Sequence, residues 1–276
     1  MERQASQRHG LGRICAIIGT MLTISPASAH EFWIEPVDGM VAEGAPLVAD
    51  LYVGDKLEGA SFSFVPPNFT RFEILIDGEV LPVEGRAGDK PALNMAVPGE
   101  GLATVVHVTR DYTLTYKDFA TFERFCAHKD IEWACARHIE RGLDPEAVRE
   151  RYSRHAKSLI AVGDGEGQDV QAGLLTEIVA EANPFTDDLS EGFPVRVFYK
   201  DEPRADVQVE LFDRAPDGTL DIRLYRTDAE GRAILDLSPG HFYLVDSVVM
   251  EERDPGANGD PAWESLWASL TFKVPE

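Results

Sequence analysis

Positive charge is scarce in this sequence: 26 lysines and arginines stand against 48 aspartates and glutamates, for a net charge of −22 over 276 residues. A surface of that balance repels nucleic-acid phosphates and anionic lipid headgroups, which excludes nucleic-acid binding as a role. The acids are spread along the chain rather than bunched, so they read as a solubility device more than as a cation store. Long apolar runs are lacking too. The stretch Ile14–Ile24 falls well short of the ~20 residues that a spanning helix needs, and later apolar runs are broken by charges. Cysteine is rare, with three in all, which rules out a disulfide framework. Cys126 and Cys135 would lie about 13 Å apart along one helix, too far to bridge without a break between them. A bridge, two free thiols and a two-cysteine metal site all stay open.

Catalytic motifs are missing as well. There is no G-x-S-x-G, H-E-x-x-H, phosphate loop or EF-hand loop, so the sequence offers no enzyme constellation. The acidic stretch "DGEGQD" from Asp164 lacks the spaced glutamate of a calcium loop and reads as a solvated linker.

What is present begins with a processing signal. Arg3, Arg8 and Arg13 precede the apolar Ile14–Ile24 segment, and "ASA" at Ala27–Ala29 fits the small-residue cleavage rule. Residues 1–29 are therefore expected to be a signal peptide, and the mature chain to be periplasmic or secreted, with no membrane insertion after cleavage. Cleavage after Ala29 would make His30 the amino terminus, and cleavage after Ala27 would put it at position three. Either end suits nickel or copper, because an amine and an imidazole nitrogen then lie within one chelate. A second imidazole would complete a three-nitrogen brace, and His107, His155 and His241 are the candidates. His107, in the alternating run "ATVVHVT", is paired with His30 as the expected metal site, against the plainer view that it is a packed strand residue.

The alternation of apolar and polar residues predicts a mainly β fold of two immunoglobulin- or transthyretin-like sandwiches with a helical insertion between them. The N-terminal sandwich is expected over 30–163, with "DGE" at Asp77–Glu79 as a hairpin turn. The helical insertion is placed at about 117–158, with Gly142 as a helix stop and a second helix opening at Asp144-Pro145. A linker at 164–172 then leads into a C-terminal sandwich over 173–276. Within the insertion, Arg151, Tyr152, Arg154 and Lys157 form a basic cluster, read as pairing with nearby carboxylates, with anion or partner recognition as the lesser option. Trp263 and Trp267 suit packing between domains better than an exposed sugar platform.

"AHEFWIEP", "KDFATFERF", "RERYSRHAKSLIAVG" and "DPAWESLWASLTF", in that order, resemble a family of exported bacterial proteins that carry a domain of unknown function. Nickel-uptake (NikM-like) proteins and periplasmic components of cobalt transport belong to it. "YRTDAEGRAILDLSPGHFYLV" separately resembles a transthyretin-like or carboxypeptidase-regulatory sandwich. The resemblance implies an exported compartment, the fold and a metal; together with His30 and the acidic surface it leads to the expectation of a non-enzymatic protein that binds nickel, cobalt or copper and delivers or buffers it for a membrane transporter. One departure from the family stands out: where relatives carry a His-Met pair, this chain has Val249-Met250. The alternative is an interaction module that binds a protein or carbohydrate without metal, and a third option is a copper oxygenase built on a histidine brace.

Overall fold

The computed structural model describes residues 30–256 and 259–276, so the expected signal peptide at 1–29 lies outside the described residues. The fold is mainly β and built of packed sheets, as the alternation implied. Its first part supplies β1 (Glu31–Pro36), β2 (Met40–Val41), β3 (Pro46–Asp55), β4 (Glu58–Phe62), β5 (Phe69–Ile76), β6 (Glu79–Pro82), β7 (Leu93–Ala96), β8 (Gly101–Thr109) and β9 (Tyr112–Thr115). Two helices follow, α1 (Phe119–His128) and α2 (Trp133–Glu140), and then β10 (Arg149–Val162). The rest is β11 (Thr176–Ala180), β12 (Phe193–Tyr199), β13 (Glu202–Pro203), β14 (Gln208–Arg214), β15 (Leu220–Arg226), β16 (Arg232–Leu235), β17 (Phe242–Glu252) and β18 (Trp263–Lys273).

A ten-stranded sheet runs through both halves of the chain, in the order β15-β14-β17-β18-β10-β8-β5-β6, with β2 and β9 added along β10. The join is the parallel pairing of β10 with β18, from Glu150 opposite Trp263 to Ser158 opposite Thr271. A four-stranded sheet of β1, β3, β4 and β7 covers one face around Phe32, Ile34, Leu51, Ile74, Val105 and Ile160. The sheet of β11, β12, β13 and β16 covers the other around Phe193, Val195, Leu211, Val245 and Phe272. The central strands β8 and β18 are therefore buried on both faces along almost their whole length. Asp77 and Gly78 both take positive φ and form the expected β5–β6 hairpin turn.

The helical insertion is shorter than expected. Asp118 caps α1 by accepting from the Thr121 amide, Phe122 and Phe125 turn inward against Trp263 and Trp267, and α2 runs out at Gly142, which takes positive φ. Asp144 opens no helix: its side chain accepts from the Glu146 amide in a local turn, and residues 149–162 form a strand. Arginine, glutamate, alanine and lysine favour a helix locally, but β9 and β8 on one edge and β18 on the other hold this segment extended. Trp263 and Trp267 share a face because they lie four apart on a strand, and both are buried. Cys126 and Cys135 sit side by side on the two helices as free thiols. No helix among the described residues is long and apolar enough to cross a membrane.

The expected linker is not solvated at its end. Asp169 is buried and accepts from Lys157 Nζ at 2.8 Å, Thr104 Oγ1 at 3.1 Å and the Ala180 amide at 3.0 Å. Lys157 also donates to Glu177 at 3.0 Å, and Glu177 in turn accepts from the Ala172 and Leu174 amides. This ion cluster fastens the connection to the central sheet.

Candidate functional site

The residues that share the covered face follow from the strand registers. Antiparallel pairing sets His107 on the same face as Phe72 of β5 and as Tyr152 and Arg154 of β10. The sheet of β1, β3 and β4 stands over that face and leaves a cavity of about 520 Å³ at one end. Phe32, Leu51, Val53, Phe62 and Phe69 make apolar walls, while His107, Thr109, Tyr112, Tyr152 and Arg154 contribute the polar and aromatic side. His30 lies at the start of β1 and also lines the cavity.

His107 is packed among aromatic rings, with centroids 5.0 Å from Phe32 and from Phe72 and 5.4 Å from Phe69. Burial pushes its pKa down to about 3, so the ring is neutral, and its Nδ1 is buried with no hydrogen-bond partner. Arg154 is 8% exposed. Its Nη2 donates to the His30 carbonyl at 3.2 Å, its guanidinium lies 4.7 Å from the centroid of the Tyr152 ring, and its Nε has no partner. Among the described residues no carboxylate lies within ion-pair distance of it, and burial lowers its pKa.

The two histidines singled out in the sequence, 30 and 107, thus line one cavity. The other two candidate partners do not. His155 faces the opposite side of the sheet beside Ser153, and His241 is engaged with Asp213 at 2.5 Å. Val249, which stands where the resemblance implies histidine, points to the face opposite the cavity, because β17 residues paired with even-numbered β18 positions lie on the His155 side. Its replacement removes no donor from this site.

A second cluster on the cavity face had no local signal in the sequence. Glu31 of β1, Glu210 of β14 and Asp246 of β17 converge on Lys129, whose Nζ donates to them at 2.9, 3.1 and 3.0 Å. One oxygen of each acid lies within 4.8 Å of the others, a spacing that could hold a metal ion. The lysine ammonium already stands at the centre, also 4.8 Å from the centroid of the Trp267 ring. Burial pushes the Asp246 carboxyl up to about 7 and raises Glu210 as well. Burial opposes the charge on Lys129, but Asp246, Glu31 and Glu210 outweigh it and raise its pKa. A divalent ion would have to displace this ammonium, so the cluster as built is an internal ion network.

Residues 27–251 match the family described as Domain of unknown function (DUF4198). The chain belongs to that family. The matched span takes in β1 and most of β17 and holds every cavity-lining residue together with Glu31, Lys129, Glu210 and Asp246. No curated protein matches the chain. Among solved structures, the tetra-tandem repeat in the extending region of a large adhesion protein is similar over 89% of this chain and 49% of that one, at 11% identity and a TM-score of 0.23. A likeness that weak implies nothing about partner or activity here.

Proposed function

We propose that the mature chain is an exported, non-enzymatic protein that binds a transition metal ion, nickel, cobalt or copper, at the cavity shared by His30 and His107, and buffers it or passes it to a membrane transporter. The observation that carries this reading is the His107 ring: neutral, buried, and with Nδ1 unpartnered beside a cavity that His30 also lines. An unpartnered buried nitrogen is costly in a packed core, and a metal would satisfy it. If the signal peptide is removed after Ala29, the His30 amine adds a nitrogen donor at the same place. The resemblance to nickel and cobalt uptake proteins points the same way.

Isothermal titration of the mature protein with Ni(II), Co(II) and Cu(II) tests the proposal against His30→Ala and His107→Phe variants. One ion per chain is expected, with affinity reduced at least tenfold in each variant. Absence of binding, or binding indifferent to both changes, would overturn it. Binding that instead depends on Glu31 and Asp246 would move the site to the Lys129 cluster.

A further inference from the structure

We infer that the same cavity binds a small apolar monocarboxylic acid, with its carboxylate on the Arg154 guanidinium and its body between the aromatic walls. Such a ligand presupposes the binding role of the cavity proposed above, but not the metal.

The chain carries 48 acidic residues among 276, yet none of the described residues lining the cavity is acidic, while two are arginines, Arg110 and Arg154. The basic cluster of β10 makes the contrast sharper. Arg151 pairs with Glu264 and with Asp111, and Lys157 with Asp169 and Glu177, so these two cations are neutralised within the protein. Arg154 alone of the three has no internal carboxylate, although it is more than nine-tenths buried. Glu150, four residues earlier on the strand, is engaged by Tyr116 and Ser265 instead. A buried, unpaired charge is expensive, and a counter-ion from outside removes that cost. Arg154 has one N–H on the His30 carbonyl and a buried Nε without a partner, so its planar donor fork is not filled from within the described residues, which suits a carboxylate.

The rest of the cavity selects the body of that anion. Phe32, Leu51, Val53, Phe62 and Phe69 offer apolar surface, and Phe62 is 47% exposed. The volume of about 520 Å³ lies inside the range of small-molecule pockets. A single buried guanidinium balances one negative charge, which favours a monocarboxylate over phosphate.

The test is calorimetric titration of the mature protein, in the presence of EDTA, with 4-phenylbutyrate and octanoate, and with 4-phenylbutyramide and inorganic phosphate as comparisons. The two acids are expected to bind and to raise the thermal midpoint. The amide should bind roughly tenfold to a hundredfold more weakly, the contribution of a hydrogen bond to a charged group. Arg154→Gln should abolish the preference for acid over amide, and Arg154→Lys should restore part of it. Because Arg154 is buried, Phe62→Glu serves as a second variant: it places an acid at a half-exposed wall, should preserve the fold, and should weaken the acids more than the amide. Equal binding of acid and amide, no binding of either acid, or acid binding unchanged in both Arg154→Gln and Phe62→Glu would overturn the proposal, as would binding that appears only with metal. Failure of the metal reading shows differently, as a flat metal titration beside an intact acid titration.

Discussion

Replacing Lys129 with methionine keeps much of the side-chain volume but removes the one ammonium that three buried carboxylates share. Glu31, Glu210 and Asp246 are each no more than 3% exposed, so water cannot take its place. Breaking a buried ion pair from one side costs about 3–5 kcal/mol, because the remaining charge is left desolvated. In this cluster the cost should depend on pH. Asp246 already titrates near 7 in the fold, and without the ammonium its carboxyl and that of Glu210 would move higher still. Acids whose folded pKa is raised bind protons that the unfolded chain has released, so their penalty is absent below the unfolded pKa, grows as pH rises from there to the folded pKa, and is complete above it. Urea unfolding should therefore show a larger deficit of Lys129→Met at pH 8 than at pH 5. Adding Glu210→Gln and Asp246→Asn should recover much of the loss at pH 8, since neutral partners no longer need the cation. Calcium or manganese should stabilise the single variant and leave the wild type unmoved, because the oxygen triad is vacated only when Lys129 is gone. A deficit under about 1 kcal/mol at pH 8, or one independent of pH, would refute the view that Lys129 neutralises these acids.

Glu150 offers a second pH test, since burial pushes its carboxyl up to about 7 from about 4.5. The wild type should lose stability as pH rises across that window, and Glu150→Gln should lose less, by up to roughly 3 kcal/mol at pH 8; parallel pH profiles would contradict this. On the opposite face of the sheet, Lys157→Met should cost about 3–5 kcal/mol by orphaning Asp169 and Glu177. In hydrogen exchange the Ala172 and Leu174 amides should lose protection first, because Glu177 accepts from both.

Much of the architecture was legible because it is local. Alternation marked strands such as β5, Asp77-Gly78 marked a hairpin, and Gly142 marked a helix stop. Residues 149–158 were misread because helix-forming side chains there are overruled by pairing on both edges, and neither edge is visible from the segment itself. In the acidic stretch after Gly163, Asp164, Glu166 and Gln168 are exposed as the composition suggests, while Asp169 at its end meets a buried lysine from another element. His30 and His107 were chosen for their chemistry, and their common cavity emerged only from the fold.

The sequence by itself determined the charge balance, the strand-rich pattern, the helix boundaries around α1 and Gly142, and the residue types able to bind metal or anion. Those features depend on neighbours within a few positions along the chain. Tertiary structure alone decided that one sheet runs through both halves, and that Lys129 meets acids from three distant strands. It also decided that Arg151 and Lys157 are neutralised while Arg154 is not. The reason is physical: whether a buried charge is paired depends on what lies across the sheet within a few ångströms, and that distance is set by register and packing rather than by position in the sequence.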